Sequence, residues 1–466
     1  MTDLNCDVAI IGAGTAGLSA ERSARRAGAR TLLIDDRFAG TTCASVGCMP
    51  SKLLIAAGKA AHHARQAETF GIHAQDVAID GRAVMRRVQD YRDSFVASTI
   101  QSIEELPPES RLQGFARFVA ADRLQVSERT IRAKSIVIAT GSSSAVPPAF
   151  QGLSNVHTNA DIFDMPDLPA SLAVIGAGPL GLELAQAFAH LGVDVAVFDE
   201  GDSVAALKDA HVAAALRGRL ETVFALHLGS KVTADADREG IAISWTGKSS
   251  GRRVFSRVLI AAGRPPNLKG LDLDEAGIEL DDHGTPVFDR TTMQCGSSAI
   301  FMAGDCNADV PVLHEASAEG AIAGNNAARY PNVRASRRTT PLAITFTEPA
   351  SASIGAEADA DSIIGAVSFD DQGRAKVEAS NTGLLRIYAD REGRLTGAAM
   401  AAPAAEHMAH LLAWAVTHRQ TAMQLLELPI YHPTYEEGLR SALRDICGQM
   451  DISPPDDRDQ GSAPGN

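Results

Sequence analysis

Twice in this chain a short apolar run leads straight into a glycine-rich turn. Asp7-Val8-Ala9-Ile10-Ile11 precedes Gly12-Ala13-Gly14-Thr15-Ala16-Gly17, and Leu172-Ala173-Val174-Ile175 precedes Gly176-Ala177-Gly178-Pro179-Leu180-Gly181. Each turn opens a helical pattern and is followed by a second strand tipped with an acid: Thr31 to Ile34 ending in Asp35, and Asp194 to Phe198 ending in Asp199. The glycines permit a tight turn and close approach of backbone to a pyrophosphate. The helix N-terminus stabilises the anion, and the acid hydrogen-bonds a ribose. One glycine fingerprint is weak evidence, but two with their acids in place predict two dinucleotides in two separate domains.

The rest of the chain is organised around these units. Ser135 to Gly141 reads as a strand closing the first domain, and Val258 to Gly263 repeats that closure for the second. Ala299-Ile300-Phe301-Met302-Ala303-Gly304-Asp305 reads as a return to the first domain. From about Thr340, strand-like segments such as Leu384 to Tyr388 precede an Ala/Leu-rich helix, Ala405 to Thr417. The expected fold is therefore α/β, with two Rossmann-like dinucleotide-binding domains and a C-terminal α+β domain. The boundaries expected are 1–150, 151–270, a return over 271–339, a third domain over 340–450 and a disordered polar tail over 451–466.

Composition excludes several function classes. The 466 residues are 45% apolar and 21% charged, as in soluble globular proteins. Lys and Arg number 43 against 57 Asp and Glu, a net charge of −14, which leaves no electrostatic footprint for nucleic acid or an anionic membrane. No apolar run approaches the roughly 20 residues that span a bilayer, and the N-terminus lacks a basic region before its apolar run, so a cytoplasmic protein is expected. Six scattered cysteines do not make a secreted disulfide framework.

Two of those cysteines stand close together, in Cys43-Ala44-Ser45-Val46-Gly47-Cys48-Met49-Pro50-Ser51-Lys52. Five residues advance a helix by roughly 140° beyond a full turn, so the thiols cannot face each other on a regular helix. If they pair, the backbone between them is irregular, and the setting suits a catalytic disulfide better than a structural one. Lys52, one turn after Cys48, is placed to stabilise a thiolate. No second Cys or Cys/His cluster completes a metal site, and none is expected. Cys6, Cys295, Cys306 and Cys447 read as fillers or surface thiols. Near the C-terminus, Tyr431-His432-Pro433-Thr434-Tyr435-Glu436-Glu437 offers a base for thiol chemistry with a carboxylate to orient it. Spacing alone does not choose between Glu436 and Glu437.

Together these segments resemble the flavin-dependent pyridine nucleotide-disulfide oxidoreductases, and within them the dihydrolipoamide dehydrogenases, over essentially the whole chain up to the tail. Gly40 to Lys52 resembles the family's redox box, Phe301 to Asp305 its second FAD motif, and His432-Pro433-Thr434 with Glu437 its base dyad. The resemblance implies FAD on Gly12, Gly14, Gly17, Asp35, Gly141 and Asp305, and NAD on Gly176, Gly178, Gly181, Asp199 and Gly263. It implies that Cys43 exchanges with substrate, that Cys48 lies beside the flavin, and that Lys52 and Glu183 form an ion pair near its N5. The activity implied is oxidation of a dihydrolipoyl dithiol, free or on a lipoyl-carrying protein, with reduction of NAD. The unit implied is a homodimer in which His432 serves the partner's active site. Competing readings are glutathione reductase, mercuric ion reductase, which carries a paired cysteine near the C-terminus where this chain has only Cys447, and a non-catalytic flavoprotein scaffold. Departures at Thr41, Ala44-Ser45 and Ala401-Ala402-Pro403 bear on the substrate more than on the chemistry.

Overall fold

A computed structural model describes residues 4–74 and 76–452; most of the expected tail, from 453 onward, lies outside the described residues. The chain divides into two compact units, one of residues 4–50, 87–145 and 263–338, the other of 51–86, 146–262 and 339–452. The chain passes from one unit to the other at 51, 87, 146, 263 and 339. Residues 51–86, expected within the first domain, group with the second unit, as does the C-terminal domain.

The first unit is built on a seven-stranded sheet. Its parallel part runs in the order Arg111–Gln113, Thr31–Asp35, Leu4–Ile11, Arg129–Ile138, with Ile300–Met302 also paired to Arg129–Ile138. Ala116–Ala120 and Arg123–Val126 add an antiparallel meander. The central strands read as continuous apolar runs because helices or other segments cover both faces, and Val8, Ile10, Leu33 and Val137 pack on one side while Ala9, Ile34, Ile136 and Ile138 pack on the other. Register decides function here. Ile11 lies beside Ile34 and Ile138, and Met302 beside Ile138, so Gly12, Asp35, Gly141 and Asp305 all emerge at the carboxyl edge of one sheet, where open α/β sheets bind ligands.

The second unit repeats the plan with a five-stranded parallel sheet ordered Ala225–His227, Asp194–Phe198, Ser171–Ile175, Arg257–Ile260, Val156–His157. Ile175 lies beside Phe198 and Ile260, which brings Gly176, Asp199 and the approach to Gly263 to its carboxyl edge. The C-terminal domain has its own five-stranded antiparallel sheet, ordered Leu342–Thr345, Ala350–Gly355, Leu395–Ala402, Leu384–Ala389, Ile363–Ser368. The helix Ala405–Thr417 forms where expected and buries Met408, Ala409, Leu412 and Ala413 in that domain's core, leaving Leu411 and Trp414 exposed. Arg386 and Tyr388 of this sheet reach Asp209 at 2.8 and 2.7 Å, tying the C-terminal domain to the N-cap of the helix Ala210–Leu220.

The first unit depends on close helix contact. The helix Thr15–Arg26 lies against Leu313–Arg329, and a Cβ on Gly320 or Gly324 would run into the carbonyl of Ala16 or Ala20. Ser19 and Ser23 add hydroxyl bonds to the carbonyls of Ser317 and Ala321, at 2.6 and 2.8 Å. Helix propensity favours alanine over glycine by about 1 kcal/mol, whereas forcing atoms into a packed contact costs about 1–3 kcal/mol. The obstacle is backbone and cannot swing aside, so Gly324→Ala is expected to lose stability by about 1–2 kcal/mol. Gly218→Ala, at an exposed position of the helix Ala210–Leu220 with open space around the added methyl, should lose none. Denaturant unfolding of the two variants checks the contrast.

Candidate functional site: two nucleotide crests, a cysteine turn and a base dyad

Each glycine turn is closed by its own acid. Ala13 N donates to Asp35 Oδ2 at 2.8 Å, and Ala177 N donates to Asp199 Oδ2 at 2.6 Å. The other oxygens also accept from backbone: Asp35 Oδ1 from the amides of Arg37 and Phe38, Asp199 Oδ1 from that of Gly201. The acids thus hold the turn in shape in addition to the ribose role expected from sequence. Gly12 and Gly176 have φ of 105° and 118°, the region that excludes most side chains. A Cβ on Gly17 or Gly181 would strike the carbonyl of Gly12 or Gly176, so the helix can approach the strand only as glycine. By contrast, a Cβ on Gly14 or Gly178 would meet nothing within 4 Å. That open space lies at the N-terminus of a helix with no acid in its first turn, a cradle that fits a pyrophosphate.

Around the first crest, Asp305 is held by Ser142, whose Oγ donates to Asp305 Oδ2 at 2.8 Å. Arg264 in turn donates through Nε to Ser142 Oγ at 3.2 Å and through its terminal nitrogen to Ser142 O at 2.8 Å. Ser142 and Arg264 were not singled out in the sequence, although each directly follows a strand-end glycine, Gly141 or Gly263. The turn carrying Asp305 is fixed by the buried Glu319, which accepts from Gly304 N and Asn307 Nδ2, both at 2.8 Å, and pairs with Arg338 at 2.7 Å.

The cysteine turn has the irregular backbone that pairing requires. A four-residue helix, Thr42–Ser45, carries Cys43 and is capped by Thr41; Val46 and Gly47 break it, and a new helix, Cys48–Gln66, begins at Cys48. A Cβ at Gly47 would lie 2.8 Å from Thr42 O and 3.3 Å from Cys43 Cα, so the chain can fold back over Cys43 only without a side chain there. Cys43 is half-buried and Cys48 exposed. The other thiols are inert by burial, which pushes Cys6 and Cys295 up to about 12 and Cys306 up to about 11.

In the second unit Lys52 Nζ pairs with Glu183 Oε2 at 2.7 Å, as expected, with the carboxylate buried. Lys52 is therefore engaged by Glu183, although it lies one turn from Cys48. Near the C-terminus, His432 Nδ1 lies 2.8 Å from Glu437 Oε1, and Glu437 Oε2 accepts from Thr434 N at 3.1 Å. Of the two acids, Glu437 is the partner. Its carboxylate selects the tautomer protonated at Nδ1 and leaves Nε2 with its lone pair on an exposed ring. Beside the second crest a cavity of about 490 Å³ is lined by Gly176, Phe198, Ser230, Ala262 and two acids, Asp199 and Glu200.

The sequence profile of the pyridine nucleotide-disulphide oxidoreductases matches residues 6–320, and that of their dimerisation domain matches residues 342–443. The chain belongs to this family. Family membership makes it a flavoprotein that takes FAD, uses a pyridine nucleotide and acts on sulfur, and the match to the dimerisation domain supports a homodimer. Dihydrolipoyl dehydrogenases from Haloferax volcanii and Bacillus subtilis are 31% and 30% identical to it, each over 95% of this chain and 96% and 98% of theirs. A mercuric reductase from Acidithiobacillus ferrooxidans is 31% identical over 93% of this chain and 81% of that one. Two solved structures share the fold with TM-scores of 0.81: the HOCl-induced flavoprotein disulfide reductase RclA from Escherichia coli, 21% identical, and LpdA from Mycobacterium tuberculosis, 24% identical. They cover 95% of this chain and 99% of their own.

Removing the acid that closes a glycine turn leaves two amides without their charged acceptor, and such bonds contribute about 1.5–3 kcal/mol each before water replaces part of them. Asp199→Ala is expected to destabilise the protein by about 1–3 kcal/mol and to weaken binding of pyridine nucleotide while leaving FAD content unchanged. Denaturant unfolding and calorimetric titration with the nucleotide measure the two effects.

Proposed function

We propose that this protein is a dihydrolipoamide dehydrogenase, oxidising a dihydrolipoyl dithiol, free or on a lipoyl-carrying protein, with reduction of NAD. The observation that carries the reading is the base dyad: a histidine whose Nδ1 is held by Glu437 and whose Nε2 is exposed suits removal of a proton from an incoming thiol. In the proposed exchange, one substrate thiolate attacks Cys43 Sγ, a bond forms between the two sulfurs, and the Cys43–Cys48 bond breaks to leave Cys48 as thiolate. His432 then takes the proton of the second substrate thiol. That thiolate closes the lipoyl disulfide and releases Cys43, so the substrate loses two electrons and the cysteine pair gains them. FAD, held by the Gly12 to Gly17 turn, Asp35, Gly141 and Asp305, supplies two-electron transfer between the cysteine pair and the nicotinamide.

NAD is preferred over NADP in this reading. Two carboxylates and, among the described residues, no Lys or Arg line the cavity beside the second crest, which suits a ribose hydroxyl and repels a 2′-phosphate. Mercuric ion is disfavoured as substrate because Cys447, the one cysteine near the C-terminus, is buried in the core. A reducing cytoplasm, where thiols persist, is part of the same reading.

Turnover with dihydrolipoamide, glutathione disulfide and mercuric ion, each with both nicotinamide cofactors, tests this reading. Dihydrolipoamide with NAD should give the highest kcat/KM, and Cys43→Ser should abolish it. A preference for either other substrate, or for the phosphorylated cofactor, would reject the corresponding part. The base is proposed to act across the dimer, since a two-fold interface lets each site borrow a residue from its copy. Mixing inactive Cys43→Ser and His432→Ala protomers should therefore restore activity in proportion to the heterodimer formed. Heterodimers without activity would place the base in its own subunit.

A further inference from the structure

Asp305, the acid expected to meet FAD from the second motif, sits on a turn too short to hold itself. A single 3₁₀ turn, Asp305–Asn307, carries it, and both ends of that turn are fastened to one carboxylate oxygen. Glu319 Oε2 accepts from Gly304 N, just before the turn, and from Asn307 Nδ2 at its end, both at 2.8 Å. Glu319 is buried, and its other oxygen accepts from Arg338 at 2.7 Å. Arg338 also reaches the buried Glu315 at 2.6 Å, so one guanidinium lies between two carboxylates one helical turn apart. A buried carboxylate left unpaired is strongly destabilised. The pairing with Arg338 satisfies one oxygen of Glu319 and leaves the other aimed at the turn.

The same stretch of helix sets where the turn stands relative to the first glycine motif. Gly320, next to Glu319, lets the helix Leu313–Arg329 press on Ala16, since a Cβ there would lie 2.2 Å from Ala16 O. Gly304, next to Asp305, has φ of 77°, and a Cβ on it would lie 2.8 Å from that of Ala16. Ala16 belongs to the Gly12 to Gly17 turn. The two segments expected to hold FAD therefore meet at one residue, and the adjacent pair Glu319-Gly320 joins them. All of these residues lie in the first unit. Ser142 holds the side chain of Asp305 at 2.8 Å, whereas Glu319 holds the backbone that carries it.

We propose that Glu319 is a positioning residue for FAD, holding Asp305 at a fixed place relative to the Gly12 to Gly17 turn so that one FAD molecule meets both. The proposal rests on the reading that FAD lies on that turn and on Asp305. A ligand that bridges two segments binds more tightly when their spacing is set beforehand, because it does not have to order them itself. Glu319 makes this contribution only through Asp305, so it disappears when Asp305 has no carboxylate to place. A residue that merely stabilised the fold would weaken FAD binding by the same factor with or without that carboxylate.

The test is a double-mutant cycle on FAD affinity, measured by diluting the purified holoenzyme and quantifying the free flavin that passes an ultrafiltration membrane. Glu319→Ala is expected to raise the Kd for FAD by about two- to twelvefold, the range for ordering one side chain on binding. Asp305→Ala should raise it as well. Adding Glu319→Ala to Asp305→Ala should change it by less than about twofold, because the two residues act as one. Glu319→Gln keeps the shape and an acceptor for Gly304 N while removing the charge opposite Arg338. It repeats the cycle if the alanine variant folds poorly, with a loss that also vanishes beside Asp305→Ala. If Asp305→Ala binds FAD as the wild type does, FAD does not lie on Asp305 and the underlying reading fails. If Asp305→Ala weakens FAD binding while the Glu319 variants leave it unchanged, or weaken it by the same factor in both backgrounds, Glu319 has no positioning role and this proposal is overturned.

Discussion

Both nucleotide crests depend on a carboxylate that reaches back from the tip of the second strand to the amide after the first glycine. Asp35 does this for Ala13 and Asp199 for Ala177. A backbone amide donated to an ionised acceptor is among the stronger hydrogen bonds available to a protein, and here it locks the turn that aims a helix N-terminus at open space. The glycines make the geometry sterically possible and the acid makes it the preferred one. Strand register then brings the remaining strand ends, with Gly141 and Asp305, to the same edge.

The second unit handles charge differently. Glu183 and Glu437 are both buried carboxylates, and each is satisfied through both oxygens: Glu183 by Lys52 and the amide of Phe346, Glu437 by His432 and the amide of Thr434. A buried carboxylate with an empty lone-pair direction costs more than its ion pair returns. Using one backbone amide and one functional side chain satisfies that demand and fixes the functional group in the same step. The two sites share this construction although they lie on unrelated elements, one on a helix of the nucleotide domain and the other on the first turn of the helix Glu437–Gln449.

Much of the architecture was legible because its signals are local. The glycine fingerprints, the apolar strands and the acid at each strand tip sit within about 30 residues of one another, and the helix Ala405–Thr417 lies where its composition puts it. The break between Cys43 and Cys48 also followed from helix geometry on the condition that the two thiols pair, since no regular helix brings them together. Ser142 and Arg264 were missed for a complementary reason. Their link to Asp305 joins residues far apart in the chain, and neither residue type is unusual after a strand-end glycine.

Sequence by itself determined the two nucleotide folds, because a backbone that must turn sharply at Gly12 and Gly176 and pack tightly at Gly17 and Gly181 has few alternatives. It also marked the cysteine turn and a histidine with two candidate acids. Spacing left the choice between those acids open and the family resemblance pointed to Glu437; the tertiary structure gives the physical reason, since Glu437 begins a helix that points its carboxylate at His432 and the amide of Thr434. Only the tertiary structure decided that residues 51–86 group with the second unit, because Gly58 permits their helix to press against Ala187. Both turn on contacts between segments distant in sequence or on the direction of a side chain, and neither quantity has a local signature.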